Sequence, residues 1–297
     1  MSQRQERTLH PLEGIVAVCA LFFVLALTIG FAQASDLGID IKKVKLRSAS
    51  VLVAEADTGE VVFQKNSEVV VPIASITKLM TAIVTMDKVE AGGLEMDQRV
   101  VLSRADVDTI KGTRSRLRTG ATYTRDELML LALMASENKA AAALGRSYPG
   151  GMDAFIEAMN RKADELGMTD SRFVDPTGLS SGNVSSARDL VKLVNAAHGY
   201  DKIREYSTRS RATVKDRKRA LNFANTNGLV RNAQWEIGLS KTGYISEAGR
   251  CLVMRVRLAS RDLIVVLLDS WGKQSRIGDA NRLKKWLESN ATHGRPG

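Results

Sequence analysis

Histidine is scarce in this sequence of 297 residues, and its scarcity excludes two kinds of catalytic site. The three histidines are His10 near the N-terminus, His198 near a predicted helix end and His293 in the polar C-terminal tail. A zinc site built on histidines and a Ser-His-Asp triad both lack parts in such a chain. A hydrolase with this composition that uses a serine nucleophile therefore needs another base.

Cysteine is equally rare, with Cys19 in an N-terminal apolar run and Cys251 at the start of a later one. Without the leader described below, one cysteine remains, so the mature chain has no internal disulfide. We interpret Cys251 as a small buried hydrophobe. Internal repeats and low-complexity linkers are also missing. Apolar residues make up 44% of the chain and charged residues 26%, a composition that indicates one large domain or two modest ones rather than a disordered or fibrous protein.

The N-terminus predicts export. An unbroken, uncharged apolar run over residues 15–32 precedes a small-x-small site at 32–34. This order is typical of a signal peptide over residues 1–34, cleaved before Ser35. Because the run is just long enough to cross a bilayer and the leader's side-chain charges balance, an uncleaved anchor is the alternative. In both cases the rest of the chain lies outside the cytoplasm.

The formal net charge is +10, and removal of the charge-balanced leader leaves it unchanged. On an exported protein this charge favours anionic wall polymers or a membrane surface over nucleic acid as partners. The densest basic stretch covers residues 204–219. We interpret it as a solvated loop and leave open whether it touches the wall.

Hydrophobic periodicity predicts strands at both ends of the mature chain and helices between them. Runs at 50–54 and 61–64 with a turn at 57–59 predict a hairpin, and runs at 251–258 and 263–268 predict a second strand pair. The first expected helix opens at Pro72 and carries an apolar face from Ile76 to Val84. A buried helix over 128–135 follows the capping box Thr124–Glu127. Amphipathic helices are expected over 152–166, 187–198 and 277–287. This order indicates an α+β fold whose N- and C-terminal strands pair in one antiparallel sheet.

Ser75-Ile76-Thr77-Lys78 supplies a base for a serine nucleophile. Residues i and i+3 share a helix face, so the Lys78 amine can reach the Ser75 hydroxyl. Partial burial and a second cation would lower the pKa of Lys78 enough for it to act as a base. Lys241 is the candidate cation, since Lys241-Thr242-Gly243 precedes the second strand pair and a glycine there lets a ligand backbone approach.

Each of these patterns has a competitor in the same chain. Ser136-Glu137-Asn138-Lys139 also fits S-x-x-K, and both 136–138 and 181–183 fit S-x-N. Placement separates them. Ser75 lies just inside a helix N-terminus, where backbone N–H groups and the helix dipole favour developing negative charge.

The three segments 75–78, 136–138 and 241–243 resemble the S-x-x-K, S-D-N and K-T-G set of penicillin-binding proteins and class A β-lactamases. Their order and spacing are similar to those of the low-molecular-mass D-alanyl-D-alanine peptidases, family S11. Local matches to that family lie at 72–75, 175–179, 186–190 and 225–227. Segments 130–138, 148–151, 241–244 and 249–255 resemble its endopeptidase subgroup, the penicillin-binding protein 7 type. The resemblance covers roughly residues 45–290.

This resemblance implies a penicillin-binding-protein/β-lactamase-like transpeptidase fold, in which an antiparallel sheet is flanked by helices and joined by a helical subdomain. We expect a linker over residues 35–46, a catalytic domain over 47–290 and a flexible tail over 291–297. The implied location is the periplasm, with possible peripheral association with the membrane or the wall. No cofactor, metal or nucleic acid is implied.

The resemblance also assigns roles. Ser75 is implied to attack the D-alanyl carbonyl and form an acyl-enzyme, with Lys78 accepting its proton. Ser136 and Asn138 would relay protons and hold the substrate amide. β-Lactams would act as covalent inhibitors on Ser75. The far side of the substrate would be bound by Lys241, Thr242 and Gly243, and the oxyanion by the backbone N–H groups of Ser75 and Tyr244.

The implied substrates are peptide cross-links of peptidoglycan, cut between D-alanine and meso-diaminopimelate. Two departures from the carboxypeptidases of the family favour this reading: Glu137 stands where they usually have glycine, and the sequence stops soon after its last helix, without their extra β-domain and amphipathic anchor. A carboxypeptidase acting on terminal D-alanine is the alternative. A β-lactamase is disfavoured because the deacylating glutamate has no evident equivalent. A non-catalytic wall-binding scaffold is disfavoured by the intact site residues.

Overall fold

A computed structural model describes residues 44–216 and 219–293. The expected leader over 1–34 and most of the expected linker over 35–46 lie outside the described residues, as do residues 294–297 of the expected tail. The last helix continues to His293, three residues beyond the expected domain boundary.

Strands lie at both ends of the described chain and helices mainly between them. In chain order the strands are β1 Ser48–Glu55, β2 Val61–Lys65, β3 Val71–Pro72, β4 Arg99–Val101, β5 Thr122–Thr124, β6 Val184–Ser185, β7 Arg211–Asp216, β8 Arg219–Ala224, β9 Glu236–Ile245, β10 Gly249–Leu258 and β11 Arg261–Ser270. The α-helices are α1 Thr77–Glu90, α2 Arg125–Met134, α3 Asn138–Arg146, α4 Gly151–Glu165, α5 Ala187–His198, α6 Asp201–Thr208 and α7 Ser275–His293.

The central sheet has five antiparallel strands in the order β2-β1-β11-β10-β9. The expected pairing of the two chain ends is confirmed, with Val51 opposite Leu267. Consecutive residues from Leu263 to Leu268 are buried, so helices cover the sheet on both faces. Helix α5 packs on the face that joins the main core, and α7 packs on the other. The α+β prediction is therefore confirmed.

The second strand pair is confirmed as β10 and β11, and Lys241–Gly243 precedes it as expected. These three residues lie in a further strand that the sequence did not predict, the edge strand β9, whose two glycines weaken the strand pattern. One expectation about this region is wrong. Pro72 does not open a helix, because it sits in β3 and faces Val184 of β6. A 3₁₀ turn over Ala74–Ile76 follows, and α1 begins only at Thr77.

The helical part agrees with expectation in most elements. The capping box is present: Thr124 Oγ1 accepts from the Glu127 backbone N–H, and Glu127 accepts from that of Thr124. Helix α1 differs, since every residue from Thr77 to Met86 is buried and the helix runs through the core. Cys251 is fully buried, as expected.

The basic stretch over 204–219 is not a loop. Its first residues belong to α6, and the described residues from 211 onward form a hairpin of β7 and β8. Val214 and Asp216 are buried, while Arg211, Lys215 and Arg219 lie on exposed positions. Alternation with period two was present but was masked by the charges. Among the described residues, no helix is both long enough and apolar enough to cross a membrane.

A buried carboxylate fastens α7 to the beginning of the sheet. Asp279 is fully buried and accepts from the backbone N–H groups of Arg47 at 3.0 Å and Ser48 at 2.7 Å, and from the Ser48 hydroxyl at 2.6 Å. Burial opposes its ionisation, but the hydrogen bonds from Ser48, Arg47 and Arg282 outweigh burial and lower the pKa of Asp279.

We expect Asp279→Ala to lower the free energy of unfolding at pH 7 by roughly 2–4 kcal/mol, because it leaves buried donors without an acceptor. Since the pKa of the carboxyl is lower in the folded state, its stabilisation is complete above the unfolded pKa of about 4 and is lost as the pH falls below it. Urea unfolding measures both. The control is Glu236→Ala, which removes an exposed pair with Arg257 and should change stability by less than about 0.5 kcal/mol. Equal losses in the two variants would contradict the assignment.

Candidate active site

Ser75 lies in the 3₁₀ turn immediately before α1, and two glycines from distant segments pack against this turn. A Cβ on Gly178 would lie 1.9 Å from the carbonyl oxygen of Ala74, and one on Gly243 would lie 2.9 Å from that of Ile73. Ala74 itself has φ of 48°, an unusual value for a residue with a side chain. The turn is thus held in a strained conformation by close backbone neighbours on two sides.

The amine of Lys78 has three polar neighbours. Its Nζ lies 2.8 Å from Ser75 Oγ, 2.8 Å from Asn138 Oδ1 and 2.5 Å from the carbonyl oxygen of Thr177. A neutral amine has two hydrogens and one lone pair. The two carbonyl oxygens can only accept, so they take both hydrogens and leave the lone pair for the Ser75 hydroxyl. This geometry suits a base that removes the hydroxyl proton.

Burial is what makes Lys78 a usable base. The side chain is fully buried, and this desolvation lowers the pKa of Lys78 to about 7, against the opposing effect of the carboxylates of Asp175, Glu137 and Asp108. Lys241 was expected to lower the pKa of Lys78 as a second cation, and this expectation is wrong, because burial accounts for the shift of Lys78. The effect runs the other way: burial and then the charge of Lys78 lower the pKa of Lys241 well below its ordinary value.

A second lysine–serine contact lies across the cleft from the first. Lys241 of β9 donates to Ser136 Oγ at 2.9 Å and to the carbonyl oxygen of Thr242 at 2.9 Å. Ser136 connects α2 to α3 with φ of 57°, which directs the chain so that Asn138 at the start of α3 reaches Lys78. Thus the two motifs that compete in sequence lie side by side in space.

A cleft of about 450 Å³ opens over these groups. Ser75, Ser136 and Asn138 line one side, and β9 forms the other, while Lys78 and Lys241 lie buried beneath. The side chain of Tyr244 is exposed at the edge, with the guanidinium of Arg250 over its ring at 4.5 Å. The expected site residues that line the cleft are Ser75, Ser136, Asn138, Thr242, Gly243 and Tyr244.

The competing motifs have structural roles instead. Lys139 donates to the carbonyl oxygen of Leu117 at 2.8 Å, away from the serine three residues before it. Asn183 is fully buried; it accepts from the Val174 backbone N–H and donates to Asp175. Neither residue lines the cleft.

No role was predicted from the sequence for the loop that holds Thr177. Asp175 accepts from the backbone N–H groups of Thr177, Gly178 and Ser180 and from the Thr177 hydroxyl. These bonds turn the Thr177 carbonyl toward Lys78. An aspartate followed by proline and glycine predicts a turn, so the loop could be recognised in the sequence. The contact of its Thr177 carbonyl with Lys78 could not be predicted.

Other cleft residues were missed because nothing local indicates them. Arg276, in the first turn of α7, donates from Nη1 to the carbonyl oxygen of Gly243 at 3.0 Å, and its buried Nε has no hydrogen-bond partner among the described residues. Thr226 and Thr242 share a hydrogen bond between hydroxyls at 2.6 Å. Thr113 accepts from Asn138 Nδ2 at 3.0 Å. Within residues 44–216 and 219–293 no cluster of histidine, cysteine or carboxylates is placed to hold a metal ion.

Comparison with known proteins identifies relatives of this site. The family model of the S11 peptidases, described as D-alanyl-D-alanine carboxypeptidase, matches residues 38–272. A protein of Pseudomonas aeruginosa named D-alanyl-D-alanine endopeptidase is 46% identical over 82% of this chain and 78% of its own length. One of the same name from Escherichia coli is 43% identical over the same shares.

Solved structures show the same fold. The DD-transpeptidase of Streptomyces K15 superposes with a TM-score of 0.76 at 25% identity, covering 82% of this chain and 98% of that one. The D-alanyl-D-alanine carboxypeptidase of Mycobacterium tuberculosis gives a TM-score of 0.72 at 25% identity, covering 82% and 91%. The expected penicillin-binding-protein-like fold is confirmed.

We expect the rate at which Ser75 is acylated to rise with pH and to level off above about pH 7, because only neutral Lys78 has a free lone pair. Time courses of intact mass with an acylating serine reagent between pH 5 and pH 9 measure it. Lys78→Arg should lower the rate by roughly 10²–10⁴, whereas Lys139→Arg, the same change in the other S-x-x-K segment, should leave it near that of the wild type. A rate that is flat in pH would contradict a basic Lys78.

Gly178→Ala should slow acylation of Ser75 by about a hundredfold, because the new methyl group displaces the Ala74 carbonyl and with it the nucleophile. Gly59→Ala is the matched control: its φ of 73° is close to the 76° of Gly178, but nothing lies within 4 Å of the added Cβ. Both variants carry the strain of a left-handed alanine, so thermal unfolding separates this shared effect from the loss of acylation. Similar acylation by the two variants would show that the contact does not position Ser75.

Proposed function

The chain belongs to the S11 family of peptidases, and we propose that it is an exported serine DD-endopeptidase that hydrolyses D-Ala–meso-diaminopimelate cross-links in peptidoglycan. The observation that carries the chemistry is the contact of the buried Lys78 amine with Ser75 Oγ at 2.8 Å. The two relatives above 40% identity, both named endopeptidases, support the choice of bond.

Acylation begins when Ser75 Oγ attacks the D-alanyl carbonyl carbon and its proton passes to Lys78. The carbonyl oxygen gains the negative charge, and the backbone N–H groups of Ser75 and Tyr244 stabilise it. The glycine at 243 supports this placement, because a side chain there would push β9 away from the nucleophile turn.

The C–N bond then breaks, and the leaving nitrogen takes a proton that returns from Lys78 through the Ser136 hydroxyl. Ser136 suits this relay because it lines the cleft and accepts a hydrogen bond from Lys241 at 2.9 Å. The acyl group is now an ester on Ser75. Water enters, gives a proton to neutral Lys78 and attacks the carbonyl carbon of the ester. The bond from that carbon to Ser75 Oγ breaks, Lys78 returns its proton to Ser75 Oγ at 2.8 Å, and the D-alanyl product leaves as a carboxylic acid that ionises in solution.

The cleft has polar residues that can bind the substrate on both sides of the scissile bond. Asn138 and Thr242 present polar groups to the peptide on the acyl side. The carbon that bears the leaving nitrogen carries a carboxylate in diaminopimelate, and the guanidinium of Arg276 supplies a cation at that end of the cleft. β-Lactams carry a comparable amide and carboxylate, and we expect them to acylate Ser75.

We further propose that the N-terminal leader directs the protein to the periplasm, where hydrolysis of cross-links serves wall growth and cell shape. The net charge of +10 supports peripheral association with the anionic wall or with a membrane surface.

Digestion of purified sacculi tests the reaction. The protein should convert cross-linked muropeptide dimers to monomers, and Ser75→Ala should leave dimers intact, as measured by chromatography of the products. If dimers persist while pentapeptides lose their terminal D-alanine, the protein is a carboxypeptidase, an activity named for relatives near 28% identity such as one from Bacillus subtilis.

Labelling with a fluorescent penicillin separates the remaining alternatives. The wild type should be labelled at Ser75 and release the label slowly, and Ser75→Ala should not be labelled. A wild type that takes no label would be a non-catalytic scaffold. Rapid turnover of the penicillin would identify a β-lactamase.

A further inference from the structure

Arg250 is a charged side chain without an ion-pair partner among the described residues, although it lies next to the catalytic cleft. It is the second residue of β10 and lies opposite Tyr244 of β9, a cleft-lining residue. Its neighbours on the same sheet are paired: Arg255 contacts Asp262 at 2.7 Å and Arg261 contacts Glu55 at 2.5 Å.

The position of Arg250 is fixed by an aromatic ring rather than by a carboxylate. Its guanidinium carbon lies 4.5 Å from the centre of the Tyr244 ring, and the ring is 56% exposed. A guanidinium on an aromatic face keeps its edge N–H groups free for another partner. Stacking on Tyr244 therefore fixes the position of the Arg250 guanidinium and leaves its charge available to a ligand.

Arg276 forms the second half of the same positive surface. Arg276 donates to the carbonyl oxygen of Gly243 and Arg250 stacks on Tyr244, so consecutive residues of β9 hold the two guanidinium groups. The charge of Arg250 accordingly adds to burial in lowering the pKa of Arg276. Arg276 also lacks an ion pair within residues 44–216 and 219–290. Two arginines that repel each other at the end of a cleft are a site for an anion.

The nearby carboxylates do not fill this role. Glu247, in the turn between β9 and β10, is bound to Lys111 at 2.5 Å. Ser270 of β11 lies opposite Arg250, and Asp269 directly precedes it. The Asp269 carboxylate lies against the backbone of Gly249 and pairs with neither arginine. The positive charge thus stays open to a ligand.

We propose that Arg250 is a specificity residue for the leaving side of the substrate, binding the C-terminal carboxylate of the peptide that departs when the cross-link is cut. The proposal rests on the proposed endopeptidase function. The leaving peptide carries one carboxylate beside the scissile nitrogen and another at its own C-terminus. Arg276 lies in the cleft and meets the first, and Arg250, one strand further from Ser75, meets the second.

This assignment explains how one site can distinguish a cross-link from a terminal D-alanine. Free D-alanine as a leaving group has a single carboxylate, so it can use Arg276 but has nothing to offer Arg250. The contact made by Arg250 is therefore available only to the longer leaving group. Trp271, which directly follows Ser270 and is 86% exposed, extends the same end of the sheet with a further contact surface.

The test compares Arg250→Ala with Arg257→Ala, using the full-length protein. Arg257 is an exposed arginine on the same strand, about 23 Å away at roughly 3.3 Å per residue. Both changes remove one positive charge, so general attraction to anionic peptidoglycan is matched. The measurements are kcat and KM for a soluble cross-linked dimer, D-alanine release from a pentapeptide, and acylation by a fluorescent penicillin.

We expect Arg250→Ala to raise KM for the dimer by roughly five- to tenfold, the range of a partly exposed charged hydrogen bond. Acylation by penicillin and release of D-alanine should stay within about twofold of the wild type, and Arg257→Ala should change none of the three. Arg250→Lys should recover part of the loss, because it keeps the charge but not the planar fork.

A second substrate identifies the group that is bound. Amidation of the leaving peptide's C-terminal carboxylate should raise the wild-type KM about as much as Arg250→Ala does, and the two changes together should add nothing further. If the wild type cuts the dimer and Arg250→Ala cuts it equally well, or if the amidated dimer is cut as well as the acid, the inference is wrong. A wild type that cuts no dimer at all would instead reject the proposed function.

Discussion

The exclusion of water from the Lys78 amine is the constraint on which the site depends. In water this amine would be protonated at neutral pH and could not act as a base, whereas full burial brings its pKa to about 7. A buried amine must also have its hydrogens accepted, or it would carry an unsatisfied donor. Asn138 Oδ1 and the Thr177 carbonyl meet that need, and their directions leave only the lone pair for Ser75.

The fold supplies these acceptors from segments far apart in the chain. Ser75 lies in the turn before the buried helix α1 and Lys78 in the first turn of that helix, while Asn138 begins α3 and Thr177 lies in a loop shaped by Asp175. The edge strand β9 closes the other side. Helix α7 brings Arg276 to the cleft, and the hydrogen bonds of Asp279 one turn later tie that helix to the first strand. The hydrogen bonds between the first strand and the last helix thus also hold the segment that carries Arg276.

How much of this could be read from the sequence depends on the range of each interaction. The Ser75–Lys78 pair was predictable because side chains three residues apart share a face in a 3₁₀ turn as well as in an α-helix, although Ser75 lies in the 3₁₀ turn before α1 and not in the helix as expected. The sheet formed by the first and last strands followed from element order. The start of α1 was missed since Pro72 is as well suited to a strand edge as to a helix start. Strand β9 was missed because its glycines, needed for close approach, weaken the strand pattern. Arg276 and the aim of the Thr177 carbonyl are set by tertiary contacts that leave no local trace.

The cations of the cleft divide into two kinds, and the choice of side chain makes the division possible. Burial lowers the pKa of a lysine, to about 7 for Lys78, so this amine can take and return a proton during the cycle. Arginine remains charged in the same surroundings, because its ordinary pKa is far above neutrality. Burial lowers the pKa of Arg276 without removing its charge. Lys78 can therefore act as the base and Arg276 as a permanently charged anion-binding residue within one small cleft. An arginine at position 78 together with a lysine at position 276 would leave the formal net charge of the sequence unchanged. The arginine could not act as a base, and the lysine could lose the charge that binds the carboxylate.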